Sequence, residues 1–211
     1  MAKQVLKKFA GLNLLLFGGQ GRGKTKFKEN FLANFQHREN WDFDPNEEFK
    51  YKNKAKFIYD REEFLKKVPA KKGSRKNVGF SDATGFFSKT GVMPKQLQYH
   101  VCRKRHSENI NIFDYHGITQ LNLDNFIYFD FMVLFRTEES EIKVRKVYED
   151  KPYIIAAWLE VQEVTRGTFF DTVTKTYSED ETRNKGYAKA INPISKVPNY
   201  HHHLVIRITG R

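Results

Sequence analysis

At 211 residues the chain is long enough for one substantial α/β core and too short for a free-standing second domain of similar size. Its 37 Lys and Arg against 25 Asp and Glu leave a formal net charge of +12, which suits a polyanionic partner, with nucleic acid the leading candidate. The single cysteine, Cys102, excludes an intrachain disulfide and a cysteine-rich zinc site and fits a reducing compartment, and no run approaches the ~20 apolar residues of a membrane span.

Residues 1–11 place Lys3, Lys7 and Lys8 among Val5, Leu6 and Phe9, a short lead-in helix or strand. Residues 12–17 (LNLLLF) form an apolar run of the kind that makes a strand buried on both faces. Then come Gly18, Gly19, Gln20, Gly21, Arg22, Gly23, Lys24 and Thr25, which satisfy the phosphate-loop pattern of a Gly, four residues and Gly-Lys-Thr. Such a loop turns its backbone N–H groups inward on a phosphate chain, Lys24 reaches the terminal phosphates, and the Thr25 hydroxyl sits on Mg²⁺. Phe27, Phe31, Leu32 and Phe35 recur at helical spacing behind it, so the phosphates would also meet a helix N-terminus. A flexible glycine-rich turn is the bland alternative; strand, loop and helix in the required order favour ATP with Mg²⁺.

Residues 37–54 are charged and polar apart from Trp41, Phe43 and Phe49, and read as a long connection. Residues 55–59 predict a second strand and residues 61–68 a short amphipathic helix. Residues 69–76 (PAKKGSRK) are a basic loop, either a solvated turn or a contact for nucleic-acid phosphates. Residues 77–80 begin a third strand, with Ser81-Asp82-Ala83-Thr84 at its C-terminal end, where open α/β sheets bind ligands. After a polar and aromatic loop at residues 85–91, residues 92–106 predict a helix ending in Arg103, Lys104, Arg105 and His106. Residues 109–115 predict a fourth strand ending in Gly117-Ile118-Thr119-Gln120, residues 121–126 a short helix, and residues 127–135 a fifth strand. This alternation argues for a mostly parallel five-stranded central sheet flanked by helices.

Residues 138–164 predict one or two helices broken near Pro152, and residues 168–177 a β-hairpin. Residues 178–211 read as an extended tail, suited to docking on a neighbouring subunit. The division expected is a P-loop domain over residues 1–177 and a tail over residues 178–211. His201, His202 and His203 point to alternate sides of an extended chain and make a poor metal site.

Nucleoside triphosphate hydrolysis needs charge neutralisation, a held metal and a group that orients water. Lys24 and Thr25 supply the first two. Asp82 is the candidate acid, for the Mg²⁺ shell or for polarising water, its alternative being a turn or N-cap acid. Gln120 would sense the γ-phosphate or position water, or else is structural.

The order of phosphate loop, strand-end acid, Arg105-His106, Thr119-Gln120 and a hairpin with Phe170-Asp171-Thr172 resembles the HerA/FtsK superfamily of P-loop ATPases, particularly viral genome-packaging ATPases. The resemblance implies a hexameric or pentameric ring that moves DNA without reading its sequence, in the host cytoplasm or on the virion, with capsid vertex proteins as further partners. It also implies an arginine acting on a neighbour's nucleotide: Arg105 first, with Arg103 and Arg136 as alternatives, and a plain surface charge as the competing reading of Arg105. The family's Asp-Glu-Ala lines up with Ser81-Asp82-Ala83, so Ser81 stands in place of the metal-binding Asp. Either turnover is slow or Ser81 reaches the metal through water. Rival readings are a filamentous-phage assembly ATPase resembling zonula occludens toxin, a nucleotide-binding module with little turnover, and a nucleic-acid binder whose loop holds phosphate structurally.

Overall fold

Strand β1 (Leu12–Phe17) is buried along its whole length, and the rest of the described chain is laid around it. The computed structural model describes residues 11–35, 37–44, 55–68, 70–86, 95–166, 169–171, 176–178 and 202–208. β1 is joined in one sheet by β2 (Asn40–Phe43), β3 (Ala55–Ile58), β4 (Asn77–Phe80), β5 (Ile110–Tyr115) and β6 (Phe131–Leu134), all parallel. β7 (Phe169–Asp171) and β8 (Thr176–Ser178) form a separate antiparallel hairpin, and β9 (Leu204–Arg207) closes the large sheet antiparallel to β6. The order is β3-β2-β4-β5-β1-β6-β9.

The helices are α1 (Lys24–Leu32), α2 (Arg61–Lys67), α3 (Lys95–Cys102), α4 (Lys104–Ser107), α5 (Glu141–Val147) and α6 (Pro152–Val164). β1 sends apolar side chains to both faces, as a parallel strand covered on both sides must. Leu12, Leu14 and Leu16 pack with Ile110, Ile112, Val133 and Leu32 of α1. Leu15 and Phe17 join Phe113 and Met132 in a larger core with Phe64 of α2, Val101 of α3, Val144 of α5 and Trp158 of α6. The sheet is therefore the middle layer of three. The buried Asn13 is accommodated because its amide donates to the carbonyls of Val101 (2.9 Å) and Tyr128 (2.7 Å) and its oxygen accepts from Asn111 (2.7 Å).

The mostly parallel α/β architecture is as read from the sequence, but the sheet has seven strands and not five. β2 lies inside the stretch read as a long connection. Trp41 and Phe43 face the larger core, but the opposite face carries Asn40 and the buried carboxylate of Asp42, so the segment lacks the apolar run of a strand covered on both sides. β9 falls within the expected tail; Leu204 and Ile206 pack on the core while Val205 is 58% exposed, the alternation of a sheet-edge strand. The helix expected over residues 92–106 breaks at Arg103 into α3 and α4, and the one expected over residues 121–126 is a 3₁₀ segment, Leu123–Tyr128. The lead-in at residues 1–10, residues 45–54 and 87–94, and residues 179–201, including His201, lie outside the described residues, as does Thr172.

His100 of α3 is buried at the larger core, its ring 6.1 Å from that of Phe80. Burial pushes the imidazole down to about 4 from its ordinary 6.5, and a hydrogen bond with the Leu65 backbone recovers only part of the shift. The unfolded chain then takes up the proton first as pH falls, so the stabilising contribution is whole above pH ~6.5 and is lost toward pH ~4, on the order of 3 kcal/mol. Thermal denaturation should show a Tm that drops across this window, and a His100→Gln variant should drop less steeply over the same range.

Candidate nucleotide-binding site

The loop between β1 and α1 is anchored at the C-terminal edge of the sheet by its own backbone. Gly18 N–H donates to the Tyr115 carbonyl (3.1 Å) and Gly19 N–H to that of Arg136 (2.7 Å), tying the loop to the ends of β5 and β6. Gly23 has φ +94°, a left-handed conformation that side chains rarely adopt, and Gly21 has φ +73°. Gly23 is also the N-cap of α1 and offers no side-chain oxygen, so the first-turn amides of the helix have no side-chain cap. Those amides and the helix dipole suit an anion. Lys24 turns its ammonium back on the loop, donating to the carbonyls of Gly18 (2.5 Å) and Gly19 (3.1 Å). Arg22 is almost fully buried and faces Glu138 at 3.8 Å, while Gln20 is exposed. The eight loop residues expected to hold phosphate thus lie in one turn, with Thr25 in the first turn of α1.

The side of α1 that meets the sheet buries Leu32 and, beside it, Lys28. Lys28 has no exposed side-chain surface; its ammonium lies 3.0 Å from Asp42 Oδ2 and 3.3 Å from Asp114 Oδ2 and donates to the Ser81 hydroxyl at 2.9 Å. Ser81 in turn donates to Asp42 Oδ1 at 3.1 Å. Helix α1, β2, the end of β4 and β5 are thereby joined by one buried polar cluster. Ser81 is committed to this cluster. Asp82 follows it at φ +48°, partly exposed, with its carboxylate accepting from the Thr84 hydroxyl (2.5 Å). Asp tolerates this left-handed region better than most non-glycine residues.

Gln120 lies in the 3₁₀ turn Ile118–Gln120 beyond β5, and its side-chain oxygen accepts from the N–H groups of His116 (3.0 Å) and Gly117 (2.9 Å). The same turn is gripped by Glu139, whose carboxylate accepts from the N–H groups of Ile118 (2.6 Å) and Thr119 (2.9 Å), and by the Tyr148 hydroxyl, which donates to the Ile118 carbonyl. Burial and the neighbouring Glu139 charge push the Tyr148 hydroxyl far above its ordinary range, which keeps it a donor.

The structure separates the expected arginines. Arg105 is exposed on α4, which abuts Gly11 just before β1, so it sits at the N-terminal edge of the sheet. The phosphate loop is at the other edge, about 20 Å away along a six-residue strand. Arg103 stacks over Tyr99, 3.9 Å from the ring centre, and with Lys72, His106 and Ala70 lines a cleft of about 300 Å³ at that same edge. Arg136 is at the loop edge, but it donates to the carbonyls of Gln162 (3.3 Å) and Thr165 (3.1 Å) at the end of α6.

No protein-family model matches the chain, and no curated protein sequence matches it. Solved structures do. The genome packaging NTPase B204 from Sulfolobus turreted icosahedral virus 2, in complex with ATP-gammaS, matches at a TM-score of 0.55 and 16% identity, over 80% of this chain and 96% of that one. Its complex with AMPPCP gives 0.54 at 16% identity over the same shares. B204, the DNA-packaging ATPase from Sulfolobus Turreted Icosahedral Virus, gives 0.54 at 13% identity, again over 80% and 96%. The fold resembles that of a viral packaging NTPase. The resemblance read from the sequence therefore holds at the level of the fold. The N-terminal domain of zonular occludens toxin from Neisseria meningitidis reaches only 0.43 at 14% identity, over 61% of this chain and 78% of that one, which decides nothing.

Lys28, Asp42, Asp114 and Glu139 were not singled out by the sequence. The available signals were slight: Lys28 shares a helical row with Leu32, and Asp114 interrupts an otherwise well-behaved strand. Removing the ammonium leaves two buried carboxylates without their cation, so Lys28→Ala should cost about 3–5 kcal/mol in urea denaturation. Lys66→Ala, which breaks an exposed pair with Glu62, should stay within about 0.5 kcal/mol.

Proposed function

We propose that this chain is a P-loop ATPase that drives DNA translocation, in the manner of a viral genome-packaging motor. The observation that carries the reading is the phosphate loop itself: an uncapped α1 N-terminus, left-handed glycines and Lys24 poised over the loop, in a fold similar to NTPases solved with ATP-gammaS and AMPPCP. A triphosphate on the loop would receive the α1 amides and draw the Lys24 ammonium from the Gly18 and Gly19 carbonyls to its terminal phosphates. The Thr25 hydroxyl and a carboxylate from the β4–β5 edge would hold Mg²⁺; the unsatisfied Asp114 oxygen buried there fits such an ion. When bound, Mg²⁺ supplies charge neutralisation on the phosphoryl oxygens.

Asp82, partly exposed at the tip of β4, would polarise water. Arg105 cannot reach the loop of its own chain, so any role on the nucleotide is exerted on a neighbouring subunit in a ring. The net charge of +12 and the basic cleft of Lys72, Arg103 and His106 suit phosphates of a nucleic acid held without base readout. One observation favours a second reading, a nucleotide-binding module with little turnover: Ser81, where the resemblance puts a metal-binding acid, is bound up with Lys28.

Steady-state hydrolysis should be stimulated by DNA and should fall at least about a hundredfold in Lys24→Ala. ATP binding without turnover in the presence of DNA would instead leave the module. Mixing Arg105→Ala with Lys24→Ala subunits should recover activity above that of either alone, because each supplies what the other lacks across the shared interface; no recovery would place Arg105 outside the site.

A further inference from the structure

The buried cluster beneath α1 does not balance. Lys28 carries one positive charge; Asp42 and Asp114 carry two negative ones. Asp42 is fully engaged, with Oδ2 on Lys28 and Oδ1 on the Ser81 hydroxyl, and it lies so close over Gly79 that a Cβ there would stand 2.5 Å from its carboxylate. Lys28 and Asp42 therefore form a neutral, geometrically locked pair. Asp114 is the surplus charge. It is 4% exposed, only its Oδ2 faces Lys28, and Oδ1 takes no hydrogen bond from the described residues. A buried carboxylate oxygen left in that state is costly unless a cation or donor arrives to meet it.

Position says which cation. Asp114 is on β5, the strand paired directly with β1, and its register partner there is Leu16, two residues before the phosphate loop begins. Asp42 is on β2, two strands further away across β4, or about 10 Å more at ordinary strand spacing. Asp114 also stands one residue past the Phe80–Phe113 pair, beside Ser81, and Lys28 touches both. Thr25 is three residues before Lys28 in α1, on the same side of the helix and one turn nearer the loop. Thr25, Ser81 and Asp114 thus converge on one corner beneath the phosphate loop.

We infer that Asp114 supplies the carboxylate that holds the nucleotide's divalent cation, taking over from the strand-end acid that Ser81 replaces. This deepens the proposed function and rests on it, since the cation arrives with a triphosphate on the loop. Among the described residues no group of three or more His, Cys, Asp or Glu side chains is placed to hold a metal ion. Mg²⁺ takes one or two carboxylates and fills its shell with phosphate oxygens and water. Asp82 is then left for the attacking water, and Lys28 with Asp42 positions Ser81 and keeps Asp114 turned to the corner.

The test is AMPPCP affinity by titration calorimetry with Mg²⁺ and with EDTA, a readout independent of turnover. Asp114→Asn should lose at least about tenfold of the Mg²⁺-dependent tightening seen in the unmodified chain, with its affinity in EDTA unchanged, and Asp82→Asn should keep that tightening. The exchange S81D/D114N, which moves the carboxylate one strand over and preserves the number of acids, should restore it. Full Mg²⁺ dependence in Asp114→Asn, or its loss in Asp82→Asn alone, overturns the assignment. If Asp114→Asn does not fold, the exchange variant decides: folded but without Mg²⁺ dependence, it also overturns the assignment. An unmodified chain that binds no AMPPCP under either condition removes the phosphate-loop reading itself, a result distinguishable from any failure at Asp114.

Discussion

Burial of the Lys28 ammonium is the constraint that organises the centre of this molecule. A fully desolvated charge costs several kcal/mol unless it is met on more than one side, and here it is met by β2, by β5 and by the hydroxyl just past β4. Those three elements are neighbours in the sheet, so the ion cluster reinforces the order β2-β4-β5 and fixes where α1 lies across it. An apolar residue at position 28 would serve packing equally well but would not specify which strands must meet. Because the phosphate loop runs directly into α1, pinning the helix one turn below Lys24 also sets the depth and angle of the loop. The loop inherits its rigidity from the Lys28–Asp42 pair behind it.

This explains which parts of the molecule were legible in the sequence. Residues 12–32 announce themselves, because an apolar run, a glycine pattern and a helical period each report local physics and agree with one another. β2 does not. Its four residues, NWDF, place Asp42 on the inner face, and an acid there makes sense only once a lysine from another element is known to sit against it. Asp114 was hidden for the same reason inside a strand correctly expected over residues 109–115. Lys28 is not among Phe27, Phe31, Leu32 and Phe35, the row that helical spacing picks out; the Phe27 and Phe31 rings are only partly buried, and Phe27 meets Phe135 and His203 edge-on. β9 returns from far along the chain, a pairing that no local period reports. Polar residues buried in pairs are non-local facts.

The two edges of the sheet carry different chemistry. The C-terminal edge gathers the loop, the carboxylates and the 118–120 turn, whereas the N-terminal edge gathers Lys72, Arg103, Arg105 and His106. Acids there are taken up by other partners: Glu108 by Arg75, and Glu39 by Lys56 and Lys76, which hold its carboxyl down at about 2. A basic edge and a phosphate-binding edge separated by the length of the strands cannot meet within one chain. In the proposed ring, Arg105 would reach a nucleotide only on a neighbour, through a head-to-tail contact, while Lys72, Arg103 and His106 would face the nucleic acid.

Gln120 illustrates how hydrogen-bond inventory narrows a role. Its two side-chain contacts are with backbone N–H groups, of His116 and Gly117, so the atom that faces them must be the oxygen. With its acceptor engaged in closing the turn, what Gln120 can offer outward is the amide NH₂, a donor only. A donor suits an anionic phosphoryl oxygen; it cannot accept a hydrogen bond from an attacking water. Glu139 and Tyr148 hold the remaining peptide groups of the turn, so freeing the oxygen would mean unpicking contacts that also anchor α5. Within the proposed mechanism, Gln120 would serve γ-phosphate recognition, and Asp82, whose partly exposed carboxylate retains acceptor capacity beyond its bond from Thr84, would orient water.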